Sequence, residues 1–460
     1  MLDPTASSYP REGGMSSFWR SETGSLDSHR TTDELPSQAD IVIVGAGFSG
    51  ASLVSHLLDQ QAKDGTAATK PTIVVLEARG LCSGATGRNG GHLKPDAYNF
   101  TSTLAKQYGV DAAAEVASFE SANVTAVLNL VREQEIDCDM IMTRAMDVYL
   151  SENHYRAKAK DYKSLIDAGV EASRGTFCAP ERYAERLSGV KGAKGMLSFT
   201  AGHLWPYKLV HALFARAVAQ GVNLQTHTLV TSISERVNEW VIDTPRGSIR
   251  AGKIILTTNA YTASLLPEYR DKIIPYRGVV AHIRTPGTPP FLPNTYSIHF
   301  NEHDFDYLIP RPDGSIIVGG ARQTYLHNKE TWMHNVNDAE MIEETRQYFD
   351  GYMQRHFHGW EVSNAYVSDV WTGIMGYSAD RLPRVGRVPG RRNIFLMAGF
   401  TGHGMPQAYL CAKGLARMVL KDALFSDTGI PKLFEESAER LKSPVNLVEE
   451  IYRNAGRAKL

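Results

Sequence analysis

Residues 39–50 read ADIVIVGAGFSG, and this stretch decides how the rest of the chain is read. Ile41-Val42-Ile43-Val44 is an uninterrupted β-branched run, the composition of a parallel strand buried on both faces. It passes directly into Gly45-Ala46-Gly47-Phe48-Ser49-Gly50, a G-x-G-x-x-G, and Leu53, Val54, Leu57 and Leu58 follow at helical spacing. In such a strand-turn-helix the first glycine permits the tight turn, the second admits a pyrophosphate against the backbone, and the third lets helix and strand pack closely. Phosphate then meets unpaired N–H groups at the positive end of the helix dipole.

A lone G-x-G-x-x-G is weak evidence, so the following strand matters. Thr72-Ile73-Val74-Val75-Leu76 ends in Glu77, where a dinucleotide fold places a carboxylate for a ribose hydroxyl. The gap before Glu77 is long because Ala62 to Pro71 reads as an inserted polar loop. The two signals together predict a dinucleotide site.

With 460 residues the chain has room for two or three domains, each with its own core. A net charge of −1 without any basic run points to neither nucleic acid nor a membrane surface as partner, and no apolar run is long enough for a membrane span. The four cysteines, Cys82, Cys138, Cys178 and Cys411, lack C-x-x-C spacing and no secretory leader is recognisable, so free thiols in a reducing compartment are expected.

Met1 to Pro36 reads as an irregular N-terminal extension with Phe18 and Trp19 as anchors on the body. Residues 81–95, LCSGATGRNGGHLKP, carry four glycines among small polar residues, a composition for close backbone approach rather than for a packed strand or stable helix. Helices are predicted over Ala105–Glu133, Tyr155–Ala168, Pro206–Gly221, Ala339–Phe357 and Met405–Leu420. Short strands are expected at 222–226 and 229–233, a hairpin at 240–249, and buried strands at 253–260 and 393–397. Alternating segments at 276–284, 296–300, 305–309 and 315–319, with a Pro-Asp-Gly turn at 312–314, predict an antiparallel sheet. Glu361 to Trp371 reads as extended.

Glycine-rich turns thus follow Val44, Glu77 and Met397, and with LTTNAY (256–261), IIPYRG (273–278), YLIPRPDGSIIVGG (307–320), WTGIMGYSADRLPRVG (371–386) and MAGFTGHGM (397–405) the chain resembles the flavin-dependent D-amino-acid oxidase superfamily. That superfamily includes sarcosine, glycine and γ-glutamylputrescine oxidases, and SGATGRNGG is most similar to the γ-glutamylputrescine oxidoreductase-like branch. The resemblance implies an α/β fold, with a Rossmann-type FAD-binding domain and a discontinuous α+β substrate domain built on an antiparallel sheet. Residues 37–104, 198–268 and 366–430 are expected in the first, 105–197 and 269–365 in the second, and 431–460 in a C-terminal tail.

For the cofactor, the resemblance implies FAD pyrophosphate on Gly45, Gly47 and Gly50 with Phe48 and Ser49 between them, ribose on Glu77 beside Ala78 and Arg79, and adenine against Val230. The isoalloxazine is expected between the loop carrying Gly84, Thr86, Arg88, Asn89, Gly90 and Gly91 and the turn Gly402-His403-Gly404. Asn259, Gly373 and Gly399 complete the expected cofactor set, and a helix starting near Met405 is expected to aim at the flavin C2 carbonyl and stabilise its negative charge.

Departures from the family pattern carry equal weight. Relatives that bind flavin covalently use a histidine in the second glycine loop, where this chain has Arg88, or a cysteine at the place of Gly373 and Ile374, so FAD is expected to be noncovalent. Pro406 stands where sarcosine-type oxidases place a substrate lysine, and Ile316-Ile317-Val318 where they place an oxygen-promoting one. A small α-amino acid substrate loses support, and the oxygen step has no assigned promoter. Lys94, His92 and His403 remain as candidate catalytic groups, each with an alternative: a solvated loop end for the first two, a scaffold-bonded turn residue for His403. Trp371 and Tyr377 either wall the pocket or fill core, and Arg277 reads as structural. His299 and His303 flank Glu302 in a strand-like pattern without a third ligand, so no metal is expected.

The resulting expectation is an FAD-dependent oxidoreductase that takes the α-hydrogen of a neutral amine as hydride at flavin N5, giving an imine, with oxygen as acceptor and hydrogen peroxide as product. The alternatives are a dehydrogenase with another electron acceptor and a non-catalytic flavin-binding protein. The final Ala458-Lys459-Leu460 is a relaxed Ser-Lys-Leu address, from which a peroxisomal location and an import receptor as partner are expected, with a cytosolic enzyme as the alternative.

Overall fold

The structure, a computed structural model, describes residues 9–64, 70–237, 239–287 and 290–449. The terminal Ala458-Lys459-Leu460 and residues 65–69 of the expected 62–71 loop lie outside them; the helix Phe48–Asp64 continues into the first residues of that loop.

Two sheets organise the molecule. The first runs in the order Arg384–Arg387, Ile394–Ala398, Gly247–Leu256, Gln38–Val44, Ile73–Leu76, Asn223–Gln225, with Ser232–Arg236 and Glu239–Thr244 attached as a hairpin. Its four middle strands are parallel, and Ile41 to Val44 are all buried, as a strand covered on both faces requires. Helices Phe48–Asp64, Pro206–Ala219 and Ala408–Lys421 supply buried residues to the same core as the sheet's Ile41, Ile43, Val75 and Ile255.

The second sheet runs Tyr366–Ser378, Ile273–Arg284, Ile316–Gly320, Phe305–Pro310, Thr295–His299, Ile141–Tyr149, Gly195–His203, His92–Leu93, with Phe177–Pro180 on the side. It is antiparallel except where Thr295–His299 pairs with Ile141–Tyr149, and the hairpin across 312–314 joins Phe305–Pro310 to Ile316–Gly320. His92–Leu93, Gly195–His203 and Tyr366–Ser378 all belong to this sheet, although they fall wholly or largely within the ranges expected for the first domain. At these points the chain crosses from one sheet to the other, and the site forms between them.

Three local expectations are corrected. Residues 339–357 are not one helix but a turn at Glu343–Thr345 and a short helix Tyr352–His356, because Gly351 takes a left-handed φ of 62° and interrupts the periodic stretch. The last long helix begins at Ala408 rather than Met405, after Gly404 accepts the N–H groups of Gln407 and Ala408. The second glycine loop is less irregular than its composition suggests, with a 3-10 turn at Ala85–Arg88 and a two-residue strand at His92–Leu93.

The N-terminal extension is fixed to the body. Phe18 and Trp19 are buried, and Trp19 meets Trp205 edge to face while its indole N–H donates to the Asn89 carbonyl at 2.5 Å. The Ser17 hydroxyl donates to the Gly87 carbonyl at 2.5 Å.

Candidate functional site

A cavity of about 1060 Å³ opens where the two sheets meet. At one end it is lined by Gly45, Gly47, Phe48 and Ser49. Gly45 has φ +112°, and a Cβ there would sit 2.8 Å from the Thr257 carbonyl oxygen, so the tight turn needs glycine. A Cβ on Gly50 would meet the Gly45 carbonyl at 2.1 Å, which makes the third glycine a packing residue outside the cavity lining. Gly47 differs: the atom nearest its missing Cβ is Thr86 Oγ1, at 3.2 Å, and the space in front of it belongs to the cavity.

Glu77 lines the cavity beside this turn. Its carboxylate accepts the Ala46 N–H at 2.8 Å and the Arg79 N–H at 3.0 Å, which fixes it while leaving lone pairs for a hydroxyl. Ala78 and Val230 line the same end, joined by Tyr9 from the N-terminal extension, whose hydroxyl donates to the Thr231 carbonyl at 2.6 Å. Sequence reasoning had no signal for Tyr9.

In the middle of the cavity lie Gly84, Thr86, Arg88, Asn89 and Gly90. The Thr86 hydroxyl accepts the Phe48 N–H at 3.1 Å, tying the second loop to the first. Arg79 and Arg88 also line the cavity, yet their guanidinium groups turn to one buried carboxylate, Asp338, at 2.9 and 3.3 Å. Arg88 further donates to the Ser83 and Thr372 carbonyls, so it braces the loop from behind. Gly91 and Gly399 do not line the cavity: a Cβ on Gly91 would strike Trp19 at 2.8 Å, and the Gly399 N–H donates to Asn259 Oδ1 at 3.0 Å. Asn259 and Gly373 do line it. Trp371 is buried away from the cavity, its indole N–H donating to the Arg88 carbonyl, whereas Tyr377 is a wall. Arg277 donates to the Glu340 carbonyl, a structural role.

The turn Gly402-His403-Gly404, with Met405 and Pro406, lines the far side. His403 Nε2 lies 2.9 Å from Glu120 Oε2, and Glu120 also accepts the Asp96 N–H and the Gln407 side-chain amide. Burial opposes a charge on the ring, but the Glu120 carboxylate outweighs it and raises the His403 pKa above its ordinary value. Glu120 was missed in the sequence; the available signal is a carboxylate on the buried face of the helix Val110–Glu133, among Val116, Ala117, Asn123, Val124 and Val127.

Beyond the turn the lining becomes titratable. Lys94 Nζ donates to Asp147 Oδ1 at 2.5 Å and to Ser297 Oγ at 2.8 Å, and it lies 5.2 Å from the Phe199 ring centre. Asp147 also accepts the Tyr98 hydroxyl at 2.7 Å, which in turn meets the Tyr149 hydroxyl. Burial would raise the Asp147 pKa, but Lys94 wins and holds it below the usual carboxylate range. His299 stacks on Tyr149 at 4.6 Å, and burial lowers its pKa to about 3. His92 stands 5.9 Å from the Tyr307 ring with a buried Nε2 that has no partner, and burial drives its pKa well down. Lys94 is therefore not a solvated loop end. Among the described residues no group of three potential ligands could hold a metal.

These residues suit FAD. A cavity of this size, a glycine turn whose missing Cβ faces it, a fixed carboxylate beside that turn and an orphaned imidazole nitrogen in its lining are what an elongated, polar-ended dinucleotide requires.

Comparisons with known proteins agree. The family model described as FAD dependent oxidoreductase matches residues 40–418. A probable oxidoreductase OrdL of Rhizobium meliloti is 25% identical over 83% of both chains, and the gamma-glutamylputrescine oxidoreductase of Escherichia coli is 22% identical over 84% of both. Among solved structures, glycine oxidase from Geobacillus kaustophilus superposes with a TM-score of 0.66 at 18% identity, over 84% of this chain and 96% of that one. Several structural neighbours share this level of likeness, which establishes the same two-domain α/β fold.

Proposed function

Because the chain belongs to the family of FAD-dependent oxidoreductases, we propose that it oxidises the C–N bond of an amine or amino acid, with oxygen as acceptor and hydrogen peroxide as product. The observation that carries this reading is one cavity reaching from the first glycine turn to the Lys94–Asp147 pair, with the Gly90 loop and the Gly402 turn between. The relatives named above include a protein that acts on a glutamylated amine, and iminodiacetate oxidase is among the structural neighbours.

FAD, when bound, would accept the α-hydrogen of the amine as hydride while the nitrogen gives up a proton, so that the C–N bond becomes the C=N of an imine that water hydrolyses. The protein's part is placement. Gly45, Gly47 and the first N–H groups of the helix Phe48–Asp64 would hold the pyrophosphate, Glu77 the ribose, and Val230 the adenine. The Gly84 to Gly90 loop and the Gly402 turn would hold the ring. His403, whose pKa the Glu120 carboxylate raises above its ordinary value, places an imidazole at that turn. Lys94 places a cation on the substrate side, neutralised by Asp147. Arg88, committed to Asp338 and two carbonyls, offers no nucleophile, which supports noncovalent binding. Acid precipitation should release all flavin into the supernatant.

The domain division that goes with this reading assigns 37–104, 198–268 and 366–430 to the cofactor unit, 105–197 and 269–365 to the substrate unit, and 431–460 to the tail, with strands at the crossings lent to the second sheet.

The test is a panel of amines and amino acids added to the holoenzyme, first without air and then with it. Bleaching of the flavin by a substrate, then recovery in air with one peroxide per flavin, is the expected result. Bleaching without recovery in air would make it a dehydrogenase, and no bleaching by any amine would overturn the reading.

A further inference from the structure

Residues 9–20 reach the cavity from outside the part of the chain that the family model matches, which begins at residue 40. Tyr9 and Pro10 line its dinucleotide end beside Glu77, Ala78 and Val230. The Tyr9 hydroxyl lies between two backbone carbonyls, donating to Thr231 at 2.6 Å and reaching Ser264 at 3.2 Å. Thr231 follows Val230, and Ser264 ends the turn Asn259–Ser264, so one side chain bridges two walls of that end. Tyr9 also packs against the apolar cluster that holds Val44, Val230 and Leu265, all three of which line the cavity.

The segment is tied down along its length and not only at Tyr9. Arg79 Nη1 donates to the Arg11 carbonyl at 3.1 Å, and the Met15 N–H donates to the Asp338 carbonyl at 2.8 Å. Between these two points Gly14 lies against both arginines that pair with Asp338: a Cβ there would overlap Arg88 Nη2 and stand 3.0 Å from Arg79 Nη1. The same end of the cavity holds a polar group with nothing to bond. Tyr261, on the turn that meets Tyr9, lines the cavity, and its buried hydroxyl has no hydrogen-bond partner among the described residues. An aromatic ring among aliphatic side chains, a fixed carboxylate at Glu77 and an orphaned hydroxyl together suit a purine carried on a ribose.

We propose that residues 9–20 belong to the cofactor site, with Tyr9 as a wall against the adenosine half of the dinucleotide and the segment lying across its way out, a reading that rests on the assignment of this end of the cavity to adenosine. An aromatic ring stabilises a base through its π face, whatever the base. Binding and closure are then linked: adenosine in contact with Tyr9 holds the segment down, and a segment held down slows the departure of the dinucleotide. The isoalloxazine, expected at the Gly90 loop and the Gly402 turn, takes no part in this contact. FMN lacks the adenosine and ADP lacks the isoalloxazine, so the two ligands separate the halves. A segment that only fastened the fold would be indifferent to both.

The experiment uses the full chain as wild type, Tyr9→Ala and Tyr9→Phe. In the holoenzyme, FAD release after dilution is followed by flavin fluorescence; Tyr9→Ala should release it about tenfold faster than wild type, with Tyr9→Phe in between. In wild type, trypsin cleavage after Arg11, an exposed residue whose carbonyl Arg79 holds, is followed by mass. Stripping the flavin should speed that cleavage about tenfold, added ADP should restore the protection, and FMN should not. Flavin-free Tyr9→Ala should melt at the temperature of flavin-free wild type. Cleavage indifferent to FAD and ADP, protection by FMN equal to that by ADP, or FAD release unchanged in Tyr9→Ala would overturn the proposal. If Tyr9→Ala is insoluble, Tyr9→Phe and the wild-type proteolysis decide. A wild type that binds neither FAD nor ADP would instead refute the assignment of the cavity itself.

Discussion

At its dinucleotide end the cavity is walled by backbone; at its substrate end it is walled by side chains. Gly45, Gly47 and the start of the helix Phe48–Asp64 come from one continuous stretch, and Glu77 joins them across adjacent parallel strands. The substrate end is assembled from Lys94, Asp147 and Ser297, which stand on segments far apart in the chain and meet only through the second sheet. Backbone recognition demands a local sequence pattern, because glycine must stand where a Cβ cannot. Side-chain recognition demands only that the right group arrive in space. The first end is therefore tied to a local pattern of sequence, while the second can change without disturbing that pattern.

The sharpest test of the backbone end compares two glycines three residues apart. Gly50→Val should cost on the order of 5 kcal/mol and most soluble protein, since its Cβ overlaps the Gly45 carbonyl. Gly47→Val should fold, with stability within about 1 kcal/mol of wild type, yet bind no flavin; full flavin occupancy there would remove the motif from the argument. At the substrate end, Asp147→Ala leaves the Lys94 ammonium largely buried and unpaired, at about 3 kcal/mol by denaturant unfolding. Adding Lys94→Met should recover part of that loss, and a double variant no more stable than the single one would mean that the pair is not coupled.

Proton linkage separates two histidines of the cavity lining, His299 and His403. His299 is depressed to about 3 against an unfolded value of about 6.5. The stability linked to its neutral form is complete above about pH 6.5 and is lost as pH falls toward 3, so His299→Phe should flatten the acid limb by ~1–2 kcal/mol at pH 5. His403 has the opposite sign: with its folded value raised, its contribution is complete below about pH 6.5 and fades as pH rises through the higher value. Glu120→Gln should abolish that alkaline decline. The effect should stay under ~1 kcal/mol because the ring is partly open to the cavity. Melting temperatures across pH 4 to 9 would read both effects.

How much of this was legible follows from the same contrast. The strand-turn-helix at 39–58, Glu77 and both later glycine turns were readable because each is a contiguous pattern. Lys94, His92 and His403 were readable as candidates because they sit beside such turns. Glu120, Asp147 and Asp338 are buried carboxylates paired with His403, Lys94 and Arg79, which lie 53 to 283 positions away, and no local window contains these pairs. The long helix expected over 339–357 failed for a related reason, since helical periodicity could not show that Gly351 would turn left-handed.

The second glycine loop is fastened at Gly87 by Ser17, at Asn89 by Trp19, at Ser83 by Arg79 and Arg88, and at Arg88 by Trp371. Loops of such composition are ordinarily the first parts of a protein to exchange their amide hydrogens, by cheap local fluctuation. This one is stitched to residues 70 to 283 positions distant, so it opens only when larger parts of the molecule come apart. Its exchange should therefore follow sub-global unfolding, and the residence time of a noncovalent cofactor inherits that barrier. Retention of the cofactor is then a property of the assembled fold as much as of the groups that touch it.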